Sequence, residues 1–197
     1  MATELKIVEE ARRPLSMHPK KFALWLFIGS VMMIFASLTS AYIVRQSEGN
    51  WMIFDLPSLF WVNTGIIILS SVTMHWAYLS AKKDNFDTTK LALSLTTILG
   101  VGFLVSQVLA WGQMVENNVY FVNDRAGAVS GSFVYVISGL HGVHIITGII
   151  FLLVVLVSTV RYKTHSKNLA QMEMCVTYWH FLGGLWLYLF FFMLFYR

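Results

Sequence analysis

Ser138-Gly139-Leu140-His141-Gly142-Val143-His144-Ile145-Ile146-Thr147-Gly148 sets two histidines and three glycines inside an apolar run that extends over residues 131–160. An imidazole in hydrocarbon needs a hydrogen-bond partner, because an unpaired buried polar group costs several kcal/mol. At 100° per residue His141 and His144 share one helical face, and Gly148 falls almost on the same line. Small residues beside the histidines let a neighbouring helix or a ligand approach closely, so this face reads as a docking surface. The run is 30 residues long, about 45 Å as straight helix, so it tilts or carries its first turns above the membrane.

The rest of the chain has the same character. Of 197 residues 57% are hydrophobic and 12% charged, against roughly 25% charged in soluble domains, and mean hydropathy is +0.65. An integral membrane protein follows, with little chain left for a soluble domain. Four further apolar runs, each near the roughly 20 residues a bilayer requires, fall at 22–44, 58–81, 89–111 and 175–196. The expected fold is all-α, a single five-helix transmembrane domain over residues 22–197 preceded by a cytoplasmic segment, 1–21. Lys and Arg in the successive flanks number 5, 1, 3, 1, 3 and 1, which is 11 on one side against 3 on the other. The positive-inside rule puts the N-terminus and the connections near 82–90 and 161–174 in the cytoplasm and the C-terminus outside. Pro14 and Pro19 are expected to break any helix before Phe22. At 23 residues the first run is too long for a signal-peptide core, so it is read as a retained span.

Several classes of function drop out. The basic residues sit between spans and form no patch with interleaved aromatics, so no nucleic-acid partner is expected. Cys175 is the only cysteine, which excludes an internal disulfide and cysteine-based zinc or iron–sulfur ligation. All ten acidic residues lie outside or at the edge of the spans, where a proton-coupled transporter would place charge at mid-depth. Ten methionines show no stacked thioether spacing and are read as core filler. Trp51, Trp61, Trp111 and Tyr196 suit an interfacial belt at the outer boundary, and the polar connection over 112–130 is read as solvated.

Four histidines lie within spans: His75, His141, His144 and His180. Imidazole is the usual axial ligand of a membrane haem, so a small cytochrome using His141 or His144 with His180 is the sharpest alternative. His141 and His144 are only about 4.5 Å apart along the axis, too close for two stacked haems. Histidines bonded to neighbouring helices, a partner subunit or lipid head groups are the preferred reading.

Longer motifs carry a resemblance. Gly131-Ser132-Phe133, then Gly139-Leu140-His141-Gly142-Val143-His144 with Gly148, resembles the G-x-H-G-x-H-x-x-x-G segment of subunit III of the haem-copper terminal oxidases. Tyr178-Trp179-His180-Phe181 followed by Trp186 is similar to that family's last-helix Y-W-H-F signature. Gln107 with Trp111 resembles its Q-x-x-E-[YW], and Leu26-Phe27-Ile28-Gly29-Ser30 with Ala41-Tyr42 resembles its L-F-x-x-S-E and following A-[YF]. The family's three intramembrane acids have no counterpart: Ser30 or Val31, Ala110 and Gly183 stand there. The longest members have seven spans, so the resemblance implies that the first two are absent or supplied by another chain.

The resemblance implies an accessory, non-redox subunit of a proton-pumping oxygen reductase in a bacterial cell membrane, stabilising the catalytic subunit and holding lipid. Haem and copper would lie in partner subunits, with none bound by this chain, and structural phospholipid is expected. The implied partners are the catalytic subunit I, with subunit II and, where present, subunit IV. His141, His144, Trp179 and His180 are expected to line a buried polar interface, with Gly139, Gly142 and Gly148 giving close approach and Gln107 and Trp186 as further structural or interface residues. An accessory role in a nitric oxide reductase is a second alternative.

Overall fold

A computed structural model describes residues 19–47, 49, 51–121, 129–161 and 169–196. Residues 1–18 of the expected cytoplasmic segment, most of the polar connection after 121 and the basic stretch 162–168 lie outside the described residues. Five helices run in chain order: α1 Pro19–Ser47, α2 Leu59–Lys82, α3 Phe86–Glu116, α4 Val129–Val160 and α5 Ala170–Phe195. All five are long and apolar enough to cross a membrane, and no strand occurs among the described residues.

The helices outrun the hydrocarbon-matched stretches read from sequence, because amphipathic ends continue the helical hydrogen bonding into the interface. Helix α1 already includes Pro19, the first described residue, so this proline does not hold the helix back to Phe22. Helix α3 begins at Phe86, where the Asn85 side chain accepts from the Thr88 N–H at 3.3 Å, and runs to Glu116, past Trp111. The polar connection is therefore shorter than 112–130. It begins with Asn118 in the left-handed region (φ 60°) and the Val119 N–H donating to the Met114 carbonyl at 2.9 Å.

Helices α2 and α3 form the most extensive pair, joined by only three residues. Asp84 turns the chain with φ 52°, and Lys83 and Asn85 donate to the Ser80 carbonyl. The pair is tied at mid-length by Thr73 and Thr96, whose hydroxyls lie 2.8 Å apart. Helix α4 packs on α3, α5 packs on both α4 and α2, and the four close a ring. Helix α1 stays outside it, lying on α4 and α5 and touching neither α2 nor α3.

Polar contacts fix the direction of α1. Lys21 pairs with Glu173 near the helix starts, Tyr188 donates to Thr39 at 3.1 Å, and Gln46 donates to the Tyr196 carbonyl at 3.1 Å near the ends. Helices α1 and α5 therefore run parallel, as an even number of crossings between their starts requires. Apolar residues face outward along every helix, among them Met33, Trp61, Leu91 and Ile150, which is the distribution a lipid-solvated bundle needs.

Candidate functional site

Two tryptophans of α5 occupy the centre of the ring. The Trp179 indole is buried, donates its N–H to Ser70 of α2 at 3.1 Å, and packs against the glycine backbone of α3 and α4. A β-carbon at Gly100 would stand 2.8 Å from this ring, and one at Gly148 3.2 Å from it and 2.9 Å from Leu182. Neither position tolerates a side chain without movement. Trp186, seven residues on and so on the same face, donates to Thr64 of α2 at 3.2 Å. It stacks on Phe60 at 6.0 Å and meets the Phe103 ring edge-on at 4.9 Å. Ser70 and Thr64 in turn donate to carbonyls of their own helix, at Ile67 and Phe60, so each hydroxyl is left to accept from an indole.

His141 completes this core. It is wholly buried, with Trp186, Phe103 and Phe35 rings at 5.1, 5.8 and 6.4 Å. Neither ring nitrogen has a hydrogen-bond partner among the described residues. On the inner faces of α2 and α3, Asn63 donates to Gln107 at 2.8 Å, while Asn63 Oδ1, Gln107 Nε2 and the Ser106 hydroxyl have no partner among the described residues. Trp111 donates to Ser138 at 3.0 Å one turn before His141. A β-carbon at Gly139 would sit 3.7 Å from Trp111 and one at Gly142 3.9 Å from Leu104, both ordinary contact.

His144 turns toward α1. Its Nδ1 lies 2.8 Å from the Leu140 carbonyl, and its ring faces Phe35 at 5.7 Å and Phe27 at 6.4 Å. Tyr178 closes the gap, with its hydroxyl 2.8 Å from that of Thr147 and its ring 5.7 Å from Phe27. The face bearing both histidines is thus covered within this chain, by α1 and α5.

His180 belongs to a different place. Its ring neighbour is His75 of α2, with centroids 5.9 Å apart, at the floor of an open groove of about 650 Å³ between α2 and α5. Gly183 allows the approach of the two helices: a β-carbon there would lie 2.9 Å from Ser71 Oγ. The structure therefore separates His180 from His141 and His144, the pairing a haem between α4 and α5 would need. No group of three or more metal-ligating side chains occurs among the described residues.

Sequence reasoning missed Asn63, Gly100, Ser70 and the pairing of His75 with His180. Asn63 carried a legible signal, as the sole amide in its span. Gly100 and Ser70 did not, since their roles depend on where the indole of another helix falls.

A family model described as cytochrome c oxidase subunit III matches residues 11–197. Curated relatives carry the name cytochrome c oxidase subunit 3. One from Bacillus sp. (strain PS3) is 26% identical over 176 residues, covering 87% of this chain and 83% of the relative. One from Bacillus subtilis is 24% identical over the same shares. One from Petromyzon marinus is 34% identical over 137 residues, or 70% of this chain, which spans about half (49%) of that relative's length.

Proposed function

The chain belongs to the cytochrome c oxidase subunit III family, and from that membership we propose that it serves as the accessory subunit III of a respiratory haem-copper oxygen reductase. The observation that carries this reading is the family match over all five spans, including the histidine and tryptophan motifs that build the core. The partner subunits hold the haem and copper, and this chain has no catalytic centre of its own. Its immediate partner is the catalytic subunit I, in the company of subunit II and, where present, subunit IV.

The reading assigns the chain a packing role in a bacterial plasma membrane, with residues 1–21 and the basic connections on the cytoplasmic side. Trp179, Trp186, His141, Gln107 and Gly148 hold the four-helix ring in one register. His144 holds α1 to that ring, and the outward apolar faces of α1 and its neighbours are covered by lipid and partner subunits. The apolar groove between α1 and α5, lined by Met32, Ala36, Phe181 and Tyr188, suits acyl chains of structural phospholipid.

Affinity purification of the tagged chain in mild detergent tests this directly. Co-elution of a large haem-bearing subunit, with a reduced-minus-oxidised spectrum of an oxygen reductase in the eluate, is the expected result. Elution without such a partner but with a haem band would overturn it. His144→Leu is expected to lower the yield of the assembled complex while leaving haem content per catalytic subunit unchanged; a proportional loss of haem would count against the packing role.

A further inference from the structure

The groove between α2 and α5 does not fit a purely structural account. Its walls are mainly aliphatic, with Trp76 at one side and the Ser71 hydroxyl beside Gly183, and its lining residues include no Lys, Arg, Asp or Glu. The two imidazoles on its floor are open to it: His75 is exposed and His180 half-buried. Neither ring makes a hydrogen bond within the described residues; their ring contacts are His75 with Tyr78 and His180 with His75. Hydrocarbon offers them nothing, and leaving two polar rings unpaired in lipid is costly.

Depth and charge restrict what can satisfy them. Charged side chains on the same two helices mark the membrane interface: Lys82, whose amine lies 4.5 Å over the Tyr78 ring, and Glu173, paired with Lys21. Each histidine sits seven residues inward from one of these, about 10 Å along the helix. A phosphate head group stays at the level of the charges, and no cation in the groove would draw it down. The occupant must carry an uncharged oxygen below the interface and be largely apolar otherwise. A neutral imidazole brings one donor and one acceptor, and centroids 5.9 Å apart let both rings reach a single oxygen.

We propose that the groove floored by His75 and His180 binds an uncharged, lipid-soluble molecule with an oxygen-bearing ring head group, of the alkyl-benzoquinone class. His75 and His180 bond the head-group oxygen, Trp76 flanks the ring, and Ile67, Ile68 and Leu187 take the tail. Gly184 borders both this groove and the one between α1 and α5, and a β-carbon there would stand in open space, with nothing within 4 Å. No redox step is assigned to the site.

The test uses the full chain in lipid nanodiscs and a photoreactive azido-benzoquinone with a decyl tail. Adducts are expected within residues 67–79 and 180–187, suppressed by unlabelled decyl-benzoquinone and not by equal phosphatidylcholine or diacylglycerol. The double variant His75→Leu/His180→Leu removes two hydrogen bonds and is expected to lose roughly tenfold or more of the competable label. Gly184→Leu, which fills the groove and leaves both imidazoles, is expected to lose it as well. Circular dichroism reports whether each variant keeps its helices, and Gly184→Leu alone decides the matter if the double variant does not fold. Unchanged labelling in folded variants, adducts elsewhere in the chain, or equal suppression by diacylglycerol would overturn the proposal. Success or failure here is read on the isolated chain and is independent of which subunits co-purify.

Discussion

His141 and His180 are the same residue type in neighbouring helices, yet one is sealed and the other open. His141 is closed in by Phe35, Phe103 and Trp186, with no route to lipid and no partner for either nitrogen among the described residues. His180 shares a groove with His75 and faces outward. The difference shows that an intramembrane histidine is not one kind of feature. Enclosed by aromatic rings it contributes shape to a core; in a groove it offers a hydrogen bond to whatever arrives from the membrane.

The largest effect should come from emptying the sealed side. Trp179→Ala removes an indole that spans three helices and is expected to cost about 3–5 kcal/mol, read as loss of helix signal on SDS titration in detergent micelles. Gly184→Leu in the groove should change the same midpoint hardly at all, and a comparable loss there would erase the contrast. Overpacking comes next. Gly148→Val drives a side chain into Trp179 and Leu182 and is expected to cost about 1–3 kcal/mol.

The histidines themselves give a subtler comparison. His141→Leu replaces an unpartnered polar ring with an apolar group of similar volume, and such exchanges are nearly neutral or stabilising. The expected shift in unfolding midpoint is within about 1 kcal/mol and not toward instability. A loss of about 2–3 kcal/mol, of the size that follows from breaking a satisfied buried hydrogen bond, would mean that His141 is hydrogen-bonded in the membrane and that the sealed description is wrong.

Much of this architecture was legible in the order of residues. Five spans follow from hydropathy and length alone, and the H-x-x-H run marked α4 as the helix to build on. Helix ends were less legible: Pro19 reads as a breaker when it already lies in α1, and Gly112 through Glu116 read as loop when they continue α3. The pairing of side chains across helices was the least legible part. Periodicity places His141 and His144 on one face, but that face is wide enough for one ring to enter the aromatic core and the other to meet α1. Likewise nothing local to His75 points to His180. Their meeting depends on α2 and α5 crossing closely at Gly183 and Ser71, a relation between two helices remote in the chain.

The smallest expected effect lies at the rim, where sealed core and open groove give way to water. Lys21 and Glu173 form an ion pair linking the starts of α1 and α5, with each side chain more than a third exposed. Two charges near water lose most of their Coulomb attraction to solvent screening, and ordering two long side chains costs entropy, so such pairs contribute about 0–1 kcal/mol. Lys21→Ala should therefore barely move the unfolding midpoint, and the small shift should vanish in 1 M salt, where the screening length is about 3 Å. A salt-insensitive loss above about 2 kcal/mol would mean that α1 is held chiefly by this end contact. Tyr188, Gln46 and the rings around His144 would then be secondary, and the attachment of α1 would follow the chemistry of the rim, not that of the core.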